Sequence, residues 1–334
     1  MSHEITQRKD GKHEMAYTEG TDRWHGLGNE LKPGASIDDW VKAAGMDWEV
    51  QRSSVWYGDQ EAGWSEPFID KHVLFRSDTH HPLGVVSRSY KIVQPVQVLE
   101  FFRDLCEFNK FQMRTAGTLF GGRIYWALAD IGEESDVKPE DRVKGRLLLS
   151  TSADGTKATV AKFVTECVVC NNTLTMAMRE KTGSRSSTSH RSEFDASKVK
   201  TDLGIGHEQF ADFMKVAKIL SNTKITEQSA QQFLAQLLNE KGGVDRGEKV
   251  EKSKPYTSIM GLYMGDGLGS QLPGRKGTAW GLVNAVTEYM DHHRRAALPD
   301  NRLNNTWFGF GERFKMAAFQ MAQDTLIPKK GGKK

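Results

Sequence analysis

The change of hydrophobic period along the chain constrains its fold more than any single motif. Alternating runs rich in β-branched and aromatic residues fill the first half, and apolar stripes at helical spacing fill the second. Residues 48–57, 69–75 and 84–93 are three such runs, punctuated by Gly, Pro, Asp and His, and an antiparallel meander is their simplest arrangement. Residues 114–120 and 123–131 flank Gly121-Gly122, and residues 146–152 and 157–165 flank Asp154-Gly155, so both pairs read as hairpins. Between meander and hairpins, Pro95 suits a first helical turn. Val98, Phe101, Phe102 and Leu105 then recur at helical spacing, which predicts a helix packed on the meander. A shorter helix through Ala44 is expected after Ser36, whose hydroxyl caps it while Asp38 and Asp39 favour its positive end and Gly45 stops it. Past Val168 the stripes are helical: Phe210, Phe213, Met214, Ala217 and Leu220, then Ala230, Phe233, Leu234 and Leu237, with further helices over 278–295 and 312–326. Strands first and helices after is the order of an α+β fold, with an antiparallel β-meander and hairpins in the N-terminal half and a mostly helical C-terminal half. It argues against an alternating doubly wound sheet.

Composition sets the broad class. With 334 residues, 38% hydrophobic and 27% charged, the chain can bury a core without disulfides. Three cysteines, Cys106, Cys167 and Cys170, leave an odd thiol and indicate a reducing compartment. No apolar leader follows Met1 and no run of about 18 apolar residues occurs, so the expectation is a cytoplasmic protein with no membrane contact. The expected organisation is a flexible N-terminus over 1–22, a β-rich α+β core over 23–178, a mostly helical region over 179–326 and a basic tail over 327–334. The helical region holds a basic loop at 179–200 and a mobile, glycine-containing charged loop at 241–254.

Three motifs suggest chemistry, and each has a plainer reading. The stretch from Gly269 to Thr278 has the glycines, Lys276 and Thr278 of a phosphate loop, but Arg275 and Gly277 break its spacing, which leaves a structural loop into a helix N-terminus. Cys167 and Cys170 have the spacing of half a zinc site, yet four ligands are needed and the remaining cysteine is Cys106. Asn284, Glu288 and His292 recur every four residues on one helix face beside Asp291, a set that would hold a metal for a nuclease or serve interhelical hydrogen bonding. No catalytic centre and no cofactor is predicted.

A net charge of +3 is too small to make the whole surface attract polyanions, so a nucleic-acid site must be local. The candidates are Arg88, Lys91, Arg123, Lys144, Arg146 and Lys162 on the strands, with Arg185 and Arg191 in a serine-rich loop that has no acid between Ser184 and Arg191. Guanidinium and hydroxyl groups are the donors that hold phosphates. Trp24, His25, Trp56, Tyr57, Trp64, Tyr90, Tyr125 and Trp126 are candidate stacking platforms for bases.

Five blocks in one order carry a resemblance: Trp24-His-Gly-Leu-Gly28, the run from Val86 to Pro95, Gly121-Gly-Arg-Ile-Tyr-Trp-Ala-Leu, Val169-Cys-Asn-Asn172-Thr-Leu, and the run from Gly277 to His292. Together they resemble the phage/plasmid-like family known as domain of unknown function 932, from about Trp24 to about Met321. The resemblance implies a mobile-element origin and no particular chemistry. Members commonly show an Arg-His pair after the Cys-Asn-Asn block; here the order is His190-Arg191. A meander followed by a helix is also similar to the core of Rad52-type single-strand annealing proteins. The function expected from these features is single-stranded DNA binding with strand annealing in phage or plasmid recombination or replication, by a homo-oligomer of which a ring is one form. The alternatives are a metal-dependent nuclease or nucleotide-processing enzyme, and a factor that binds a host or phage protein without touching nucleic acid.

Overall fold

The structure is a computed structural model that describes residues 8, 10–18, 28–108, 111–167, 173–175, 185–197, 206–242, 249–295 and 300–328. Trp24, His25, Cys170, residues 179–184, residues 243–248 and the last six residues of the tail lie outside them. The fold is α+β, with antiparallel sheets and hairpins in the N-terminal half and helices in the C-terminal half.

Eleven strands are described: β1 (Met15–Thr18), β2 (Asn29–Leu31), β3 (Val50–Asp59), β4 (Trp64–Arg76), β5 (Pro82–Ser87), β6 (Gln112–Leu119), β7 (Ile124–Asp136), β8 (Arg142–Ser152), β9 (Thr159–Cys167), β10 (Thr173–Thr175) and β11 (Arg185–Thr188). The helices are α1 (Ile37–Ala43), α2 (Pro95–Phe108), α3 (Gly206–Asn222), α4 (Glu227–Lys241), α5 (Lys254–Gly261), α6 (Ala279–Glu288), α7 (Asp300–Phe308) and α8 (Phe310–Thr325). One sheet runs β3-β4-β5, the expected meander. The other runs β10-β9-β8-β7-β6-β1-β2, with β11 added to β9. The expected hairpin from β6 to β7 turns through Phe120 and Gly121-Gly122, all at positive φ, a conformation that glycine adopts without the Cβ clash. Short β1 and β2, which pair in parallel, carry too few residues to show a period.

By their contacts the residues fall into two compact units. The first comprises Met1–Gly132, Arg146–Phe163 and Arg185–Gly204; the second comprises Glu133–Gly145, Val164–Ser184 and Ile205–Lys334. In the first unit α1 has the capping box its sequence implies: the Ser36 hydroxyl accepts from the Asp39 amide and the Asp39 carboxylate accepts from the Ser36 amide, each at 3.2 Å. The apolar stripe of α2 is buried, but α2 lies against α1 and β6 rather than chiefly on the meander, and Ile37, Trp40 and Met113 are buried with it. The physical reason is that residues 51–71 of the meander contain no buried side chain, so that part offers α2 no apolar seat. Below it, Trp48 meets Tyr125 edge to face, and the buried Arg76 guanidinium lies 4.3 Å from the Trp48 ring centroid. Arg76 is paired with buried Glu14 at 2.8 Å and with Asp78 at 2.8 Å.

In the second unit α6 is buried along its whole length. Phe213 of α3 stacks on Phe319 of α8 with centroids 5.1 Å apart and meets Trp280 of α6 edge to face. The phosphate-loop lookalike is the structural entry to α6. Thr278 caps the helix, its hydroxyl accepting from the Gly281 amide at 3.0 Å, and Arg275 is buried in a fork on Asp141 with contacts of 2.6 and 3.2 Å. The Trp280 indole donates to the same carboxylate at 2.9 Å. Any Cβ at Gly281 would come within 2.0 Å of the Arg275 carbonyl, so the first turn closes on its own lead-in only with glycine. The helix expected over 278–295 is regular only to Glu288 and then widens into a π-turn, Tyr289–His293.

Two substitutions test these pairs. Arg76→Met leaves Glu14 buried without its cation, and Asp141→Ala leaves Arg275 in the same condition. Each should lower unfolding free energy by about 3–5 kcal/mol in urea titration, the usual cost of breaking one side of a buried ion pair.

Candidate nucleic-acid interface

The eight cations singled out in the sequence divide by environment. Arg88, Lys91, Arg123 and Arg191 are exposed in the first unit. Arg146 is interior. Its Nε lies 2.9 Å from Asp130, whose other oxygen takes the Arg114 guanidinium at 2.5 Å, so one carboxylate serves two arginines. Lys162 is 1% exposed, which keeps its ammonium from any phosphate outside. Strand β9 is buried on both faces, so a side chain on it is enclosed at either parity, and a cation count cannot register that. Lys144 belongs to the second unit, half-buried and 3.7 Å from Glu134. Arg185 opens β11 opposite Lys162 in register, and its side chain lies outside the described ones.

The four exposed cations share one hydrogen-bonded junction. The Lys91 amide donates to the His190 carbonyl at 2.7 Å, which holds Arg191 next to the β5 exit. The Tyr90 hydroxyl donates to the Ser152 carbonyl at 2.7 Å, and the next amide, that of Ala153, donates to the Arg123 carbonyl at 2.7 Å. Arg88 is two residues before Tyr90 and is fastened by its amide to the Asp70 carbonyl at 3.0 Å. Arg52, which the sequence reading passed over, joins them: its exposed guanidinium donates to the Tyr90 carbonyl at 3.0 Å. Its only signal in the sequence is a lone arginine on a strand, which is indistinguishable from solvated surface. Of the nearby acids, Asp70 and Glu193 are exposed and Asp154 is half-buried. Lys91 faces Glu193 at 3.4 Å with both groups in solvent, so that attraction is weak.

His190 is the peg of the junction. Its buried ring stacks on Tyr90 with centroids 4.4 Å apart and planes 15° from parallel. Nδ1 lies 2.8 Å from the Lys91 carbonyl, which assigns the proton of the neutral ring to Nδ1 and leaves Nε2 to face the Thr151 hydroxyl at 3.4 Å. Of the eight candidate platforms, Trp56, Tyr57 and Trp64 are exposed, Tyr90, Tyr125 and Trp126 are buried, and Trp24 and His25 lie outside the described residues.

The other motif sets are occupied by structure. Glu288 accepts from the Leu268 amide at 3.0 Å and lies 3.4 Å from His293. Asp291 is fully buried, paired with Lys315 at 2.5 Å, and accepts from the Thr173 amide at 2.8 Å. Among the described residues no three His, Cys, Asp or Glu side chains gather as a metal site. A cavity of about 710 Å³ in the first unit is lined by Trp40, Arg103, Cys106, Met113 and Arg114 among others. Arg103 is held by Glu100 at 2.6 Å and Arg114 by Asp130, and burial pushes the Cys106 thiol up, away from reactive thiolate.

Burial holds the His190 imidazole below its ordinary value of 6.5, against the opposing pull of the Lys91 carbonyl. A group with a depressed folded value takes up protons on unfolding, so its stabilising effect is full above 6.5 and is lost as pH falls through the folded value. The first unit should therefore lose stability as pH falls below 6.5, and His190→Phe should flatten that slope in thermal melts taken on either side of it.

Comparison with known proteins bears on the family. No curated protein and no solved structure matches the chain. Among the described residues, no helix is long and apolar enough to cross a membrane. The family profile described as "Domain of unknown function (DUF932)" matches residues 82–307, which include four of the five blocks above and leave Trp24-His-Gly-Leu-Gly28 outside. A match over that much of the chain, through the β5–His190 junction and the Arg275–α6 loop, makes this protein a member of the DUF932 family.

Proposed function

We propose that the chain is a single-stranded DNA-binding protein of a phage or plasmid, active in strand annealing during recombination or replication. What carries the reading is the junction: Arg88, Lys91, Arg123 and Arg191 are exposed and held by backbone contacts about the Tyr90–His190 stack, and exposed Arg52 reaches it with its guanidinium. Cations on a rigid support suit phosphates, because the side chains need order only at their tips when they bind. The near-zero net charge confines the attraction to this face. The succession β3-β4-β5-α2 is the meander-then-helix order of Rad52-type annealing cores, a likeness that speaks for the reading without fixing it. The reading includes a homo-oligomer in which the basic faces of neighbouring copies join.

Fluorescence anisotropy with a labelled oligonucleotide tests it. Binding should be present at low salt and fall steeply as salt rises. Replacing Arg88, Arg123 and Arg191 together with alanine removes three exposed groups, so folding should change little. The salt slope should fall in magnitude by about 2, at roughly 0.7 per lost phosphate contact. An absence of binding at low salt ends the proposal, and a triple variant with wild-type slope moves the site elsewhere.

A further inference from the structure

We propose that two copies of this chain associate through their β3–β4 hairpins, β3 pairing antiparallel with β3 of the second copy about a two-fold axis normal to the sheet. The hairpin is a two-stranded ribbon without a buried side chain from 51 to 71, yet it carries Trp56, Tyr57, Trp64, Phe68 and Ile69, all largely exposed. Trp56 is 62% exposed and Ile69 68%. Register sets Val55, Tyr57, Trp64 and Phe68 on one face, where Tyr57 meets Trp64 and Phe68 edge to face at 5.9 and 6.1 Å. Trp56 lies opposite Pro67 on the other face. A fully buried aromatic covers about 150–250 Å², so four half-exposed rings leave on the order of 400 Å² open, more than monomeric domains usually tolerate. Two copies bring about 800 Å² of aromatic surface, against roughly 1,200–2,000 Å² for a specific interface, before the strand edges and Ile69 are added.

The edges decide the occupant. On the side away from β4, β3 presents ten residues with no proline and no lysine. Gln94 covers both polar groups of Val50, Oε1 accepting from its amide at 2.8 Å and Nε2 donating to its carbonyl at 3.1 Å. From Gln51 to Asp59 the outward backbone groups have no backbone partner among the described residues, the Ser54 carbonyl accepting only from the neighbouring Ser53 hydroxyl at 3.4 Å. The outer edge of β4 differs: β5 pairs only with residues 71–75, and the remainder carries Pro67, Glu66 and Asp70, the usual means of blocking strand addition. The self-complementary union of two β3 strands uses up the open β3 edge of each copy, so it gives a closed pair rather than a filament. A two-fold axis normal to the sheet keeps like faces together, so the Tyr57, Trp64 and Phe68 clusters of both copies form one stripe. Nucleic acid suits the ribbon poorly, since residues 51–71 hold Asp59, Glu61, Glu66 and Asp70 against Arg52 and Lys71.

The inference stands whether or not the basic junction binds DNA, and its main readout, the mass of the chain in solution, needs none. Sedimentation velocity of the full chain, from low micromolar to the solubility limit, should give a species of twice 37.5 kDa. Replacing Trp56 and Tyr57 together with lysine should raise the dimer Kd by at least about a hundredfold, as loss of two central aromatic anchors does, with circular dichroism and melting unchanged. Ser54→Cys, near the axis, should form a disulfide-linked dimer on mild oxidation. A wild-type chain that is monomeric throughout overturns the inference, and so does a dimer indifferent to the lysines. A double variant that keeps its mass and loses oligonucleotide binding assigns the ribbon to nucleic acid and overturns it as well.

Discussion

The carboxylate of Asp141 is the contact on which the second unit depends. It is fully buried, and a lone buried carboxylate would shed its charge or unfold its surroundings. Instead it receives two guanidinium contacts from Arg275 and an indole N–H from Trp280, while Arg275 also donates to the Leu268 carbonyl at 3.1 Å and to the Cys167 sulfur at 2.6 Å. The groups joined here come from the β7–β8 turn (Asp141), the end of β9 (Cys167) and the loop into α6 with its first turn (Arg275 and Trp280), so one ionic centre joins three separate stretches of chain. Asp291 repeats the arrangement with Lys315 and the Thr173 amide and hydroxyl. Such centres add little net energy over a well-packed apolar core, but they penalise every alternative register, because any slip leaves a charge buried and unpaired.

The first unit solves a related problem with a stacked ring pair. The Tyr90–His190 stack, the Tyr90–Ser152 bond and the Lys91–His190 backbone contact bind the β5 exit, the β8–β9 turn and the segment after β11 into one support. Gly84 makes the closure possible: a Cβ there would stand 2.7 Å from the Asp154 Cα, so the turn comes against β5 only because the side chain is absent. Arg88, Arg123 and Arg191 are peripheral to this support and contribute their backbone to it, whereas Arg52 also gives its guanidinium to the Tyr90 carbonyl and Lys91 faces Glu193. That separation leaves the side chains of Arg88, Arg123 and Arg191 available to a ligand.

Much of this was legible in the residues. The meander, both hairpins, the capped α1, the α2 stripe and the α+β order follow from periodicity and punctuation, which are local signals. The Gly269–Thr278 spacing likewise reads correctly as a structural loop, since a phosphate loop needs its lysine and hydroxyl adjacent. Less was legible of the candidate site. Arg146 and Lys162 have the same sequence signature as Arg88 and Arg123, a cation in a strand-like run with no neighbouring acid, but the first two lie inside buried strands β8 and β9 while Arg88 and Arg123 fall in turns just outside β5 and β7. The seat of α2 and the bare ribbon of β3 and β4 were equally hidden, because the exposure of Trp56, Tyr57, Trp64 and Phe68 depends on which elements among the described residues lie over them, not on their own neighbours in the chain.

The sequence by itself determined the kind and order of the elements, the caps and turns that bound them, and membership of a family whose blocks lie along one chain. These depend on residues within a turn or two of each other, where backbone preference and hydrophobic period act. Tertiary structure alone decided which charges are inside, that Asp141 and Asp130 each take two donors from distant strands and loops, and that His190 anchors rather than binds. The physical reason is desolvation. The worth of a charge or an aromatic ring is set by what replaces its water, and that replacement comes from residues tens of positions away.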